Sequence, residues 1–561
     1  LFSLRWLAAS CLGVLLFIAF QIIPQLETAA TSTGTSAVMD RQAARERAVS
    51  LAVTSFGVAR EDIQRLDLTH FSDSDAVGYL SRSKLMNAYD HGMDERFPTD
   101  VYRSDIQLAS GEWLQLSVHM QTGRLVAWRK LGENGAVWSR SGRGGSQNAA
   151  VGGDGSNAES AAIASLSRWG YEPDEWEPTG ETTIEGALVF QSRKPPIGEA
   201  KVQLLVKPNE ELMYRIVLPQ NFKNYMERQQ DLASTMTAIG YVLPEIVLFA
   251  LAIVYATTYA KFTSFRRGWL LSGLYFVLYV LFTTNMRAGF RSSSESGLPV
   301  NDQGVTTLLV VNAVVLAATA VLTYFAAVGG DGLWRSMGYS LWPQAKEPGY
   351  GRRVLRSMRH GYALAFIALG AQSIILFALE MLLGSFVSSD TTQSSYNMTY
   401  PWLMPLIACC AGLSEELLYR YFGISLFRRW LTGMAGRLMR REPSRRAAGM
   451  LTIAAMVPPS VIWAFGHVGY PIYPVYTRLI ELTLLGLLFG WFMLRFGLMA
   501  AIFAHITLDA MLVGVQLMFD GLPYDLYSGI FSVAMPAIVG SAIWLLHRLF
   551  WRNNAPPVPA G

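Results

Sequence analysis

The chain has 561 residues, of which 51% are hydrophobic and 16% charged, with a mean hydropathy of +0.26 and a net charge of +4. Soluble domains carry about 25% charged residues, so charge this scarce must leave long uncharged stretches, which excludes an ordinary cytosolic enzyme and a disordered chain. The three cysteines (Cys11, Cys409, Cys410) all lie in apolar stretches, which excludes a disulfide framework, and the small net charge gives no footing for nucleic-acid binding.

The first apolar run, Trp6 to Ile23, follows Arg5. It is longer than the about 7–15 residues of a signal-peptide core, so residues 1–24 read as a membrane anchor that exports the polar region after it. That region, residues 25–229, reads as an α+β domain. Arg41 to Phe56 has helical spacing and stops at Gly57, and Leu114, Leu116, Val118 and Met120 alternate like a half-buried strand. A segment rich in Gly, Ser and Asn, 141–157, separates this from a second helix-like stretch, Ala158 to Trp169, and a second alternation at Val202, Leu204 and Val206. The domain therefore reads as two copies of a helix-plus-sheet unit. Its stretch Thr122–Trp128 (TGRLVAW) weakly resembles the hairpin of PepSY-type domains.

Further apolar runs occupy 237–259, 268–287, 304–328, 361–386, 402–427, 450–475, 476–495, 497–518 and 527–550. With the first, these predict an all-α polytopic membrane protein of about ten transmembrane helices with the α+β domain inserted outside. Helices two to five fall in 236–386, a core in 400–518, and the last helix with its tail in 527–561. If all ten runs cross, the basic residues at 335–359 and 428–446, with Arg5, Arg495 and Arg548, share one side. Cytoplasmic loops are enriched in Lys and Arg. Both termini are then cytoplasmic and residues 25–229 extracytoplasmic, in a cell membrane of bacterial type.

Ionisable groups inside spans are costly and are functional candidates by default. The sixth run holds Glu415, Glu416 and Arg420, the seventh Trp463 and His467, and the ninth His505 and Asp509. The pairs Glu416–Arg420, Trp463–His467 and His505–Asp509 have i, i+4 spacing, which puts each pair on one helix face. Each set alone also suits a structural knot between helices; the three together point to chemistry. Counting 1.5 Å per residue from Phe427, Pro459 and Gly497 places Glu415, His467 and His505 about 12–17 Å in from the basic side, provided Pro458-Pro459 restarts the seventh helix. Glu245, Glu380 and Glu481 read as packing or helix-end groups, with Glu481 in reach of Arg478. Asn397-Met398-Thr399 matches a glycosylation sequon.

Glu-Glu-x-x-x-Arg, then aromatic-x-x-x-His, then His-x-x-x-Asp, in this order on successive membrane helices, resembles the CPBP intramembrane proteases, the family of Rce1-type CAAX prenyl proteases. The likeness covers roughly residues 400–515. Trp463 stands where Phe is commoner, and Asp509 where Asn is frequent. The resemblance implies a membrane endopeptidase acting near the cytoplasmic face on a peptide or protein substrate, lipidated or not, within the bilayer. Glu415 would be the general base, with Glu416 sharing its proton or pairing with Arg420. His467 and His505 would either bind Zn²⁺ with Glu415 or orient water and stabilise an oxyanion without metal, and spacing leaves both open. Asp509 would hold the His505 tautomer or, if protonated, assist the oxyanion. The resemblance does not explain residues 25–229 or name their partner. A receptor or scaffold using that domain, and a proton-coupled transporter using the same acids and histidines, are the alternatives.

Overall fold

The computed structural model describes residues 4–24, 26, 37–132, 155–266, 268–292, 299–300 and 302–551. Gln25, most of the segment 141–157, Glu295 and the tail from Arg552 lie outside these residues.

The polar region folds into eight strands: β1 (Ile63–Ser72), β2 (Asp100–Leu108), β3 (Trp113–His119), β4 (Leu125–Leu131), β5 (Trp176–Thr182), β6 (Leu188–Ser192), β7 (Lys201–Lys207) and β8 (Glu211–Val217). They form one sheet in the order β1-β2-β3-β4-β8-β7-β6-β5. Two four-stranded meanders meet edge to edge where β4 pairs antiparallel with β8, through Trp128↔Leu212 and Arg129↔Glu211. A helix precedes each meander, Arg41–Phe56 and Gly155–Arg168. Asp40 caps the first by accepting the Ala43 N–H, and Gly57 ends it at φ 68°, a conformation that costs glycine little. Alternation along β3 sends Leu114, Leu116 and Val118 into one core with Ala44, Leu51, Ala162 and Leu166 of the two helices. Every residue of β3 is buried, so its other face is covered as well.

Among the described residues, nine helices are long and apolar enough to cross a membrane, and Trp269–Asn285 is a shorter apolar helix of 17 residues. All ten apolar runs thus fold as helices of a multi-pass membrane protein. The second begins earlier than its apolar run, at Gln220, directly after β8. Close approach needs small residues in a bilayer. A Cβ on Gly13 of the first helix would lie 2.1 Å from the Phe366 carbonyl oxygen of the fifth, and one on Gly370 would lie 2.5 Å from Gly13 Cα.

The sheet domain is seated on the loops between helices. Arg65 pairs with Asp302 at 2.7 Å, Arg291 pairs with Asp67, and Ser72 Oγ lies 2.7 Å from Ser389 Oγ. On the second helix, which leads out of the sheet domain, Gln229 Oε1 accepts the Val475 N–H at 2.9 Å. Asn397 is fully buried at the centre of this seam. It accepts the His70 N–H at 2.8 Å and donates to His70 O at 2.9 Å, Thr391 O at 2.8 Å and Ser292 Oγ at 3.1 Å. The sequon asparagine is therefore a structural clamp, inaccessible to a glycosylating enzyme in the folded chain. The basic stretches 335–359 and 428–446 sit at the opposite ends of the helices.

Buried groups stripped of their partners cost about 1–3 kcal/mol each. Asn397→Ala should therefore lower the unfolding temperature of the full chain and make the sheet domain more sensitive to limited proteolysis in detergent. An unchanged digestion pattern would show that the clamp holds nothing.

Candidate active site

The sixth apolar run starts as the helix Leu406–Glu415 and widens over Glu416–Gly423, where the Ile424 N–H bonds Tyr419 O, five residues back. Such widened turns occur often at functional sites. Here the turn splits two adjacent carboxylates between two environments. Glu415 faces a cavity and is 20% exposed, whereas Glu416 has no exposed surface. Gly412 sets the distance to the ninth helix, since a Cβ there would lie 2.5 Å from Ile506 Cγ1.

The seven residues singled out by the sequence converge. Glu415 Oε2 accepts the Trp463 indole N–H. Its two oxygens lie 3.7 Å from His467 Nε2 and 3.7 Å from His505 Nε2. His505 Nδ1 is 2.8 Å from Glu416 Oε1, and its Nε2 is 3.5 Å from Asp509 Oδ2. Arg420 Nε is 3.4 Å from Glu416 Oε1, and its guanidinium lies 3.9 Å from the centroid of the Trp463 ring. Among the described residues the guanidinium nitrogens make no hydrogen bond, so the Glu416 charge and the indole face hold Arg420 in place. Phe489 stacks on His505 at 4.9 Å and fixes the ring plane.

Two expectations change. His467 does not share a helix face with Trp463: that helix, Val457–Phe465, ends first, and His467 comes after it in a turn. The helix does restart at Pro458-Pro459, but Gly469 and Pro471 stop it from running on. The four-residue spacing survives as a hydrogen bond from His467 Nδ1–H to Trp463 O at 2.9 Å. That bond assigns the Nδ1–H tautomer to a neutral ring and leaves Nε2 toward Glu415. The depth count for His467 fails for a related reason. His467 lies only a few residues before Ile472–Tyr473, which pairs with Phe386–Val387 at the domain end of the helices.

A cavity of about 500 Å³ is lined by Glu415, Trp463, His467, His505 and Asp509. Glu416 and Arg420 lie behind its wall. Glu245 and Tyr241 of the second helix also line it. Glu245, read from the sequence as a packing or helix-end group, thus faces the cavity instead, and Tyr241 was not singled out because it carries no motif. The Arg478–Glu481 pair does form, at 2.8 Å and 2.9 Å, and Gln372 adds a bond to Glu481 at 2.8 Å.

Glu415, His467 and His505 are also the set that would hold zinc. Tetrahedral zinc with bonds of about 2.0–2.1 Å puts ligand atoms about 3.3 Å apart. Here the imidazole nitrogens approach different oxygens of Glu415 at 3.7 Å, and one of those oxygens is engaged by Trp463. Among the described residues no group of three or more His, Cys, Asp or Glu is arranged to hold a metal. As placed, these three side chains are not arranged around the ion.

The fold and site define a multi-pass membrane protein with an acid–histidine cluster in an intramembrane cavity. Residues 397–511 match the family model described as type II CAAX prenyl endopeptidase Rce1-like, so this segment is similar to that family, which supports a peptidase. The matched segment contains all seven clustered residues and excludes the sheet domain. No curated protein and no solved structure matches the chain.

Removing one partner of a buried ion pair costs about 3–5 kcal/mol. Glu416→Ala should therefore be poorly folded, and Glu416→Ala with Arg420→Met should recover part of the lost thermal stability in detergent. No recovery in the double variant would mean that the two charges do not depend on each other.

Proposed function

We propose that this protein is an intramembrane endopeptidase in which Glu415 activates water for attack on a peptide carbonyl. The observation that carries this reading is the placement of Glu415 between two imidazole Nε2 atoms, each 3.7 Å away, on a cavity wall inside the membrane helices. A water bridging from the cavity side reaches both Glu415 and the lone pair of His467 Nε2. Glu415 takes a proton as the water oxygen bonds to the carbonyl carbon, and returns it to the leaving amine as the C–N bond breaks. His505 is oriented by Glu416 through Nδ1 and by the Phe489 ring, so a protonated Nε2 is the donor aimed at the developing oxyanion. Asp509 beside that nitrogen steadies the ring in its protonated form during the reaction.

The Lys and Arg excess of the loops at 335–359 and 428–446 supports a cytoplasmic position for that end, with the sheet domain extracytoplasmic. A proton-coupled transporter is less favoured: a relay past the cavity would have to cross Glu416 and Arg420, which are 0% and 1% exposed and tied to each other.

General-base and oxyanion groups each contribute about 10²–10⁴-fold. Glu415→Gln, His467→Ala and His505→Ala should each reduce cleavage at least about 100-fold while the purified proteins keep the wild-type elution profile. Full cleavage by any of the three would sink the assignment. Activity should also persist in chelator; loss that added zinc restores would move Glu415, His467 and His505 into a metal site.

A further inference from the structure

The cavity is not centred between the two faces of the helix bundle. Its lining includes Gln393 and Tyr470, both in loops at the end that carries the sheet domain. Tyr279 and Arg478 lie within about two turns of that same end. Toward the opposite end the lining stops early. On the ninth helix it includes His505 but nothing from Leu498 to Ala504, and on the sixth it includes Tyr419 but nothing beyond. Glu416, Arg420 and Tyr421, with 0–1% exposure, seal the chain below it. Glu415 and His505 therefore sit at the floor of a pocket whose upper wall reaches the loops under the sheet domain.

The wall also has a chemical character. Tyr279, Asn312, Gln393 and Tyr470 present hydroxyls and amides along its height, between apolar stretches that include Leu316, Ile407, Leu482 and Leu512, and the Asn312 side-chain oxygen is buried without a partner among the described residues. A prenyl or acyl chain would leave such groups unsatisfied, whereas the backbone of an extended peptide supplies both donors and acceptors.

We propose that the substrate enters from the face that carries the sheet domain, as an unlipidated polypeptide segment, and not from the face of the arginine-rich loops. This rests on the peptidase reading for the cut itself, but the entry route stands on geometry alone. The domain is placed to border that route. The loop 386–400, which runs past Gln393 into the Glu415 helix, is the loop that Ser72, Ser74 and His70 of the domain hold. With the basic loops cytoplasmic, the substrate is the exported end of a membrane-anchored or secreted chain.

The test uses the full-length protein with Cys11, Cys409 and Cys410 replaced by Ala, in sealed vesicles whose orientation is read by protease access to the sheet domain. Asn312→Cys and Ala411→Cys, which line the cavity, should react with a charged, membrane-impermeant maleimide only where the sheet domain faces the reagent. Arg437→Cys should react only in the opposite orientation. Labelling of the cavity positions from the Arg437 side, or from neither side while detergent-solubilised protein labels, overturns the proposal. A second arm uses the native-cysteine protein and two single-span reporters that present the same unlipidated segment on one face or the other. Cleavage only of the reporter on the sheet-domain face supports the proposal, and preference for the opposite reporter, or for a prenylated version, overturns it. If labelling is as expected and neither reporter is cut, the entry route holds and the peptidase reading fails.

Discussion

A carboxylate with no exposed surface, Glu416, is the constraint on which the site depends. A charge in such a place is tolerated only with partners, and Glu416 has two, Arg420 on its own helix and His505 on the ninth. Through Arg420 it reaches the Trp463 ring, whose indole nitrogen in turn holds Glu415. One buried charge thus aligns side chains from three helices, and Glu415, beside it in sequence, is freed to face the cavity. The widened turn makes this division possible, because it redirects the side chains after Glu415 toward the interior of the bundle.

Helix contacts and the sheet domain carry the same constraint outward. Gly412 lets the sixth and ninth helices approach until their backbones nearly touch, and Gly486 does the same between the seventh and eighth, where an added Cβ would lie 2.8 Å from Ser460 Cβ. The loops that deliver these helices are themselves fixed. Asn397 bonds the backbone of β1 at His70, and the Val475 N–H is held by Gln229. The sheet domain is therefore part of the frame around the cavity rather than a tethered accessory. Its eight strands form a continuous sheet because β4 and β8 each offer a free edge to the other.

Much of the membrane architecture was legible because hydropathy is a local property. Ten apolar runs became helices, and charged side chains inside them stood out at once. Glu415, Glu416, Arg420, Trp463, His467, His505 and Asp509 could be singled out from one-dimensional order alone, since each pair lies within a turn. Boundaries were less legible. Arg428 ends the sixth apolar run in the sequence, yet the helix continues to Met439, because Arg428 is buried against Tyr339 and Trp334. A depth count started from that point was bound to drift.

The sequence by itself determined which residues cannot be solvated by lipid, and therefore which must find one another. It did not determine the helix end before His467, the split between Glu415 and Glu416, or the participation of Glu245 and Tyr241. Nor did it show that the cavity rises toward the sheet domain rather than toward the arginine-rich loops. These features arise from how ten helices pack. Backbone contact at glycines sets their offsets along the membrane axis, and the buried Glu416 charge sets their rotation. Both are sums over partners far apart in the chain, so they exist only once the tertiary structure has formed.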